Sequence, residues 1–166
     1  MTQSIIDGQV VTIRPLHAVD TVLEAEFVRR LSDESRRLRF FGGVKELSAA
    51  ELKLLCEVDG EHTMAFVATI EQDGHELAIG VSRYALSQKD GVREMALTIA
   101  DDWQQAGVAE LLMRQLLDYA KSHGVQKLYA VELAENHAMQ QLARKLGMTA
   151  AYDPDDMAQV IYTLTL

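Results

Sequence analysis

Ala96-Leu-Thr-Ile-Ala-Asp-Asp-Trp-Gln-Gln-Ala-Gly-Val-Ala-Glu-Leu-Leu112 is the stretch that decides the reading of this chain. Alternating apolar residues end in a short polar turn, and the turn feeds an apolar run at helical spacing. Strand, turn and helix in that order aim free backbone N–H groups along the helix axis, which makes an anion site. Gly107 falls where the first helical turn begins, so a phosphate can approach the main chain there without meeting a Cβ.

Working outward, the strand continues back to Val92 and follows two others. Thr63–Ile70 is apolar and β-branched, Gln72-Asp-Gly-His75 supplies a turn, and Glu76–Leu86 is the next strand. Lys89-Asp-Gly91 then turns the chain into Val92–Ala100. This spacing predicts an antiparallel meander. Upstream, Val10–Arg14 reads as a strand stopped by Pro15. Val19, Val22, Leu23, Phe27 and Leu31 fall at helical spacing between Ala18 and Leu31. Ser48 and Glu51 form a capping box for a helix that runs to about Glu57. Downstream, a helix over Gly107–Ser122 closes at Gly124, and Lys127–Leu133 is a strand. Asn136 caps a last helix, which carries Arg144 and Lys145 in its final turn and ends at Gly147. Two closing strands flank Asp153-Pro154. The order predicts a mixed, mostly antiparallel sheet with helices on it, not a doubly wound parallel sheet.

Composition sets the outer bounds. The 166 residues are 48% hydrophobic with two prolines, so residues 1–166 are expected to form a single domain. The lone cysteine, Cys56, has no intramolecular disulfide partner and sits among apolar neighbours, as core filler does. No leader or membrane-length apolar run is seen, and a cytoplasmic protein is expected. The net charge of -9 argues against broad nucleic-acid binding; it reads either as a surface that merely keeps the protein soluble or as one compatible with a cationic partner such as an amine or a basic protein. The five histidines lack metal-ligand spacing, so no metal is expected.

Several segments together resemble a known family. The element order, Gln104-x-x-Gly107-x-Ala109 and the position of Asn136 resemble GNAT N-acetyltransferases. More narrowly, Leu31-Ser-Asp-Glu-Ser35, Arg39-Phe-Phe41, Glu46-Leu-Ser48, Met64-Ala-Phe-Val-Ala68, Asp101-Asp-Trp-Gln104 and Leu133-Ala-Glu-Asn136 resemble the acetyltransferase domain of bacterial protein-lysine acetyltransferases. The resemblance implies an α+β GNAT (acyl-CoA N-acyltransferase) fold with helices on both faces of the sheet. It also implies acetyl-CoA as co-substrate.

On this reading the N–H groups of Gln105, Ala106, Gly107, Val108 and Ala109 receive the pyrophosphate. Gln104 stands where many relatives carry arginine. The main chain at Leu97 and Ile99 meets the pantetheine arm, and an N–H near Ile99 polarises the thioester carbonyl. Asn136 reaches the cofactor as well as capping its helix.

By position alone Glu94 reads as a solvated strand residue; the resemblance, in which a glutamate sits at this place in the strand, makes it the candidate general base. Period-two alternation sets it on one face with Ala96, Thr98 and Ala100, while Met95, Leu97 and Ile99 share the other. An alkyl amine with a pKa near ~10.4 needs a base to become nucleophilic at neutral pH. The tyrosine that relatives use to protonate the leaving thiolate is replaced by Ala143, so no acid is assigned. The cluster Arg29, Arg30, Arg36, Arg37 and Arg39 reads either as a solvated face or as a wall of the cleft. The expected activity is acetyl transfer to a primary amine, with a protein lysine as first acceptor. The alternatives are a small-molecule amine acceptor or a non-catalytic acyl-CoA-binding module.

Overall fold

A computed structural model describes residues 1–42 and 44–166. The elements are β1 (Thr2–Ile6), β2 (Gln9–Pro15), α1 (Thr21–Arg30), α2 (Asp33–Phe40), α3 (Ala49–Cys56), β3 (Met64–Gln72), β4 (His75–Leu86) and β5 (Val92–Ile99). They continue with α4 (Val108–Ser122), β6 (Lys127–Leu133), α5 (His137–Leu146), β7 (Thr149–Tyr152) and β8 (Gln159–Thr165). Short 3-10 turns at Ala18–Asp20 and Asp101–Trp103 precede α1 and the turn into α4. Among the described residues one eight-stranded sheet forms, in the order β1-β2-β3-β4-β5-β6-β8-β7.

Two Asp-Gly turns set the register of the hairpins at the β1 side of the sheet. Asp7 and Gly8, and again Asp73 and Gly74, all have positive φ. That is the two-residue turn whose twist matches paired strands. All neighbouring strands pair antiparallel except β5 and β6. These two are parallel and pair only at Val92↔Lys127, Arg93↔Leu128 and Glu94↔Tyr129. Beyond Glu94 and Tyr129 they part, and the gap between them opens toward the turn that starts α4.

Hydrogen bonds from adjacent β4 residues place α1 and α4 on opposite faces. Ser82 Oγ donates to the Leu112 carbonyl of α4 at 3.2 Å. Arg83, the next residue, pairs with Glu24 of α1 at 2.8 Å. The core between sheet and helices contains Phe27, Ile79, Tyr84, Leu112, Met113, Leu116 and Leu128, all nearly sealed from solvent. Each Phe, Ile, Leu and Met among them contributes about 1.5–3 kcal/mol by its burial.

The structure revises three sequence-based expectations. The strand β1 was not foreseen. Nor was α2, whose polar sequence Asp-Glu-Ser-Arg-Arg-Leu-Arg-Phe has little apolar periodicity and is held by its Ser32 cap on the Ser35 N–H. In the first long helix the buried face is Glu24, Phe27 and Val28. Val19 and Val22 are 86% and 69% exposed. Glu24 faces inward with Phe27 and Val28 and pairs with Arg83, on a face where apolar spacing placed valines.

Candidate functional site

The gap between β5 and β6 is the floor of a cleft of about 190 Å³. Its walls are β5 at Leu97, Thr98 and Ile99, the turn at Gln104, Gln105 and Gly107, and the first residues of α4. β6 contributes Glu132, α5 contributes Met139 and Leu142, and α2 contributes Arg39.

The turn is built to leave its N–H groups open. Gln105 and Gly107 both have positive φ, which curls the chain just before α4. Gly107 is the N-cap, and no side chain caps the helix. The first-turn donors therefore lack the partner that a Ser or Asp would supply, and the helix dipole adds partial positive charge. A Cβ on Gly107 would meet nothing within 4 Å, so the space over it is free.

Side chains around the turn are tied down. Gln104 Nε2 donates to Ser35 Oγ at 3.2 Å and to the Ile99 carbonyl at 3.3 Å. Asp101 accepts from the Ser32 N–H and from Ser35 Oγ. These bonds fasten the N-terminal part of α2 to the turn and set Arg39, near the far end of that helix, over the cleft. Gln104 thus acts here as a strut between β5 and α2. Ala106 and Val108 do not line the cleft with their side chains, and Val108 is sealed in the core. The candidate role of both rests on their N–H groups.

Asn136 joins two jobs at the start of α5. Its Oδ1 accepts the Met139 N–H at 3.1 Å, as a helix cap does, and its Nδ2 donates to Glu132 Oε2 at 3.4 Å. Glu94 stands at the apex where β5 and β6 begin to part. It is exposed, is not among the cleft-lining residues, and accepts a hydrogen bond from Tyr129 at 3.4 Å.

The arginine cluster divides. Arg29, Arg36 and Arg37 form surface ion pairs with Glu46, Asp33, and Glu34 and Glu135. Arg30 donates to the Ala78 carbonyl. Arg39 alone of the five lines the cleft. It has no hydrogen-bond acceptor among the described residues, and burial lowers its pKa to about 10, so it stays a cation.

Sequence reasoning missed Glu132. It is 8% exposed and lines the cleft. Burial raises its carboxyl to about 7, against the lowering pull of Arg39 and of the Asn136 hydrogen bond. Alternation could have found it, because it shares a face of β6 with Leu128 and Ala130, both buried. Cys56 is fully buried on α3 away from the cleft, and burial raises its thiol to about 11. Among the described residues no group of three His, Cys, Asp or Glu side chains could hold a metal ion, and no helix is long and apolar enough to cross a membrane.

Comparisons with known proteins agree on the kind of molecule. The family described as acetyltransferase (GNAT) domain matches residues 11–149. An acetyltransferase of Pseudomonas aeruginosa is 44% identical over 164 residues, which is 99% of this chain and 88% of that protein. The acetyltransferase Pat of Mycolicibacterium smegmatis is 30% identical over 125 residues, 74% of this chain but 36% of that longer protein. The fold matches the crystal structure of the GNAT domain of S. lividans PAT with a TM-score of 0.88. That match is at 23% identity and covers 99% of this chain and 96% of the other.

Proposed function

The chain belongs to the GNAT acetyltransferase family, and from that membership we propose that it transfers the acetyl group of acetyl-CoA to a primary amine, with a lysine side chain of a protein as acceptor. One observation carries the reading. An uncapped helix N-terminus, with Gly107 at its cap, opens onto a gap where two parallel strands part. A pyrophosphate suits the N–H groups from Gln105 to Ala109. A narrow chain with amides suits the unpaired edges of β5 and β6, on the main chain of Leu97 and Ile99. Asn136 stands at the opposite wall.

Bound there, acetyl-CoA supplies an activated acyl carbon. The residues of this chain do the rest. An N–H near Ile99 polarises the carbonyl. Glu94 attracts the ammonium group at the mouth of the gap and takes its proton, directly or through water. The amine attacks the thioester in a ternary complex, because the one thiol in the chain is buried, protonated and outside the cleft. An acidic chain with net charge -9 favours encounter with cationic acceptors. The likeness of its sequence to bacterial protein-lysine acetyltransferase domains supports lysine over smaller amines.

The test compares two substitutions at one position. Gly107→Ala introduces the strain of a positive φ of 92° without charge, whereas Gly107→Glu adds an anion over the free N–H groups. Calorimetry should show acetyl-CoA affinity at least tenfold weaker in the Glu variant than in the Ala variant, with both folded by circular dichroism. Equal affinities would remove the phosphate site from the turn. Turnover with a lysine-containing protein, free lysine and small amines then ranks the acceptors.

A further inference from the structure

We propose that Glu132 is the acid that returns a proton to the departing thiol, the task for which position 143 offers only a methyl group. This rests on the reading that the acyl-CoA arm lies in the gap between β5 and β6.

β5 and β6 meet at Glu94 and Tyr129. Three residues further along each strand stand Leu97 and Glu132, both on the cleft wall, roughly 10 Å above the apex at ~3.3 Å per residue. An arm that enters at the α4 terminus and runs toward Glu94 passes between them. Glu132 is therefore beside the reactive end of the arm, and Glu94 lies beyond that end, on the side from which the acceptor arrives.

Elimination points the same way. Ala143 is buried and carries no polar atom. Tyr129 is at the apex and spends its proton on Glu94. Lys145, at the outer edge of the cleft, has a side chain 68% exposed and lies 4.0 Å from Glu110. Arg39 does not release a proton in the neutral range. Glu132 is deep in the cleft, and burial raises its carboxyl to about 7, within reach of a neutral-pH proton transfer.

The groups that set its charge can be named from every side. Arg39 on α2 favours the anion, as does the Asn136 amide on α5. Glu94 on β5 disfavours it, and burial outweighs them all. Tyr162 on β8 is also near enough to feel its charge.

The amine nitrogen bonds to the acyl carbon, and the C–S bond breaks with its electron pair going to sulfur. Glu132 gives its proton to that sulfur and becomes a carboxylate. Glu94 passes the first ammonium proton to solvent before attack and takes the second from the nitrogen as the amide forms, and exchange with solvent then resets both carboxyl groups. The sum is ammonium plus thioester giving amide, thiol and one proton released to solvent.

The experiment uses Glu132→Gln, which keeps the shape but cannot give an acidic proton, and reads three things. Calorimetry with CoA should give the wild-type affinity within about threefold. The ultraviolet absorbance of bound CoA thiolate, followed against pH, should show the thiolate forming about one pH unit lower in the variant, because a carboxylate has been removed from beside it. At neutral pH kcat should fall roughly 10²-fold, the low end for a general acid, and the decline of wild-type kcat above pH 7 should disappear. A variant that binds CoA normally, with unchanged thiolate titration and unchanged kcat profile, overturns the acid role and leaves the cleft reading intact. Failure of the wild-type protein to bind CoA overturns both.

Discussion

Glu94 and Glu132 are glutamates on neighbouring strands, yet their surroundings give them different chemistry. Glu94 is exposed and held by one tyrosine hydroxyl. As the proposed base it should show its role in a rate profile. Glu94→Gln should lower kcat by roughly 10²–10⁴-fold near neutral pH, and the deficit should shrink as pH rises and free amine accumulates. Acetyl-CoA affinity measured by calorimetry should stay as it was. A wild-type rate across the whole pH range would remove Glu94 from the mechanism.

Glu132 makes a different prediction, on stability. Its carboxyl is raised from an ordinary 4.5 to about 7, so the folded protein binds this proton more tightly than the unfolded chain does. Its stabilising contribution is full below pH 4.5 and is lost as pH rises to about 7. At ~1.36 kcal/mol per unit the loss is about 3 kcal/mol at most. Urea unfolding should therefore show Glu132→Gln losing less stability than wild type between pH 5 and pH 8. Parallel stability curves for the two proteins would contradict this.

At the scale of elements, caps make the clearest local statements. Asn136→Ala removes the acceptor for the Met139 N–H and should cost about 1 kcal/mol in urea unfolding. Asn136→Ser restores most of that cap without restoring the amide beside Glu132. A cost that does not recover in the serine variant would show that the tether to Glu132, not the cap, carries the stability. These elements were legible because their signals are local. Ser48 with Glu51, Asn136, Gly147 and the Asp73-Gly74 turn each announce a boundary within a few residues, and β6 and α5 fall where pattern placed them. What escaped depended on distant partners. The sequence of α2 carries little apolar periodicity, and Asp101 and Gln104, far along the chain, pin it to the turn. The buried Glu24 meets its partner Arg83, 59 positions away. Of the candidate site, the turn and its strand could be read directly. Arg39 stood among four arginines that the fold sends elsewhere, and Glu132 was legible only as the third residue of the alternating face that holds Leu128 and Ala130.

At the scale of the whole molecule, the Glu24–Arg83 pair links α1 to the sheet, and Arg83 also donates to the Leu55 carbonyl of α3. Their side chains are 5% and 12% exposed. Removing one partner strands the other charge in a poorly solvated site. Glu24→Ala should cost about 3–5 kcal/mol, while the double change Glu24→Leu with Arg83→Met should recover most of it. Equilibrium unfolding of the two variants tests the contrast, and an equally unstable double variant would show that the pair does more than neutralise itself. The three residue pairs that join β5 to β6 have a wider mechanical meaning. They form a seam between a five-stranded plate and a three-stranded one, stitched at one end and open at the other. A molecule laid along the open end would serve as the missing thread. At 100 times its Kd it would add about 2.7 kcal/mol to folding. Amide hydrogens of residues 95–99 and 130–133 that face the gap would then exchange more slowly, so slowed exchange confined to the two lips of the seam would map the ligand's path without any measurement of catalysis.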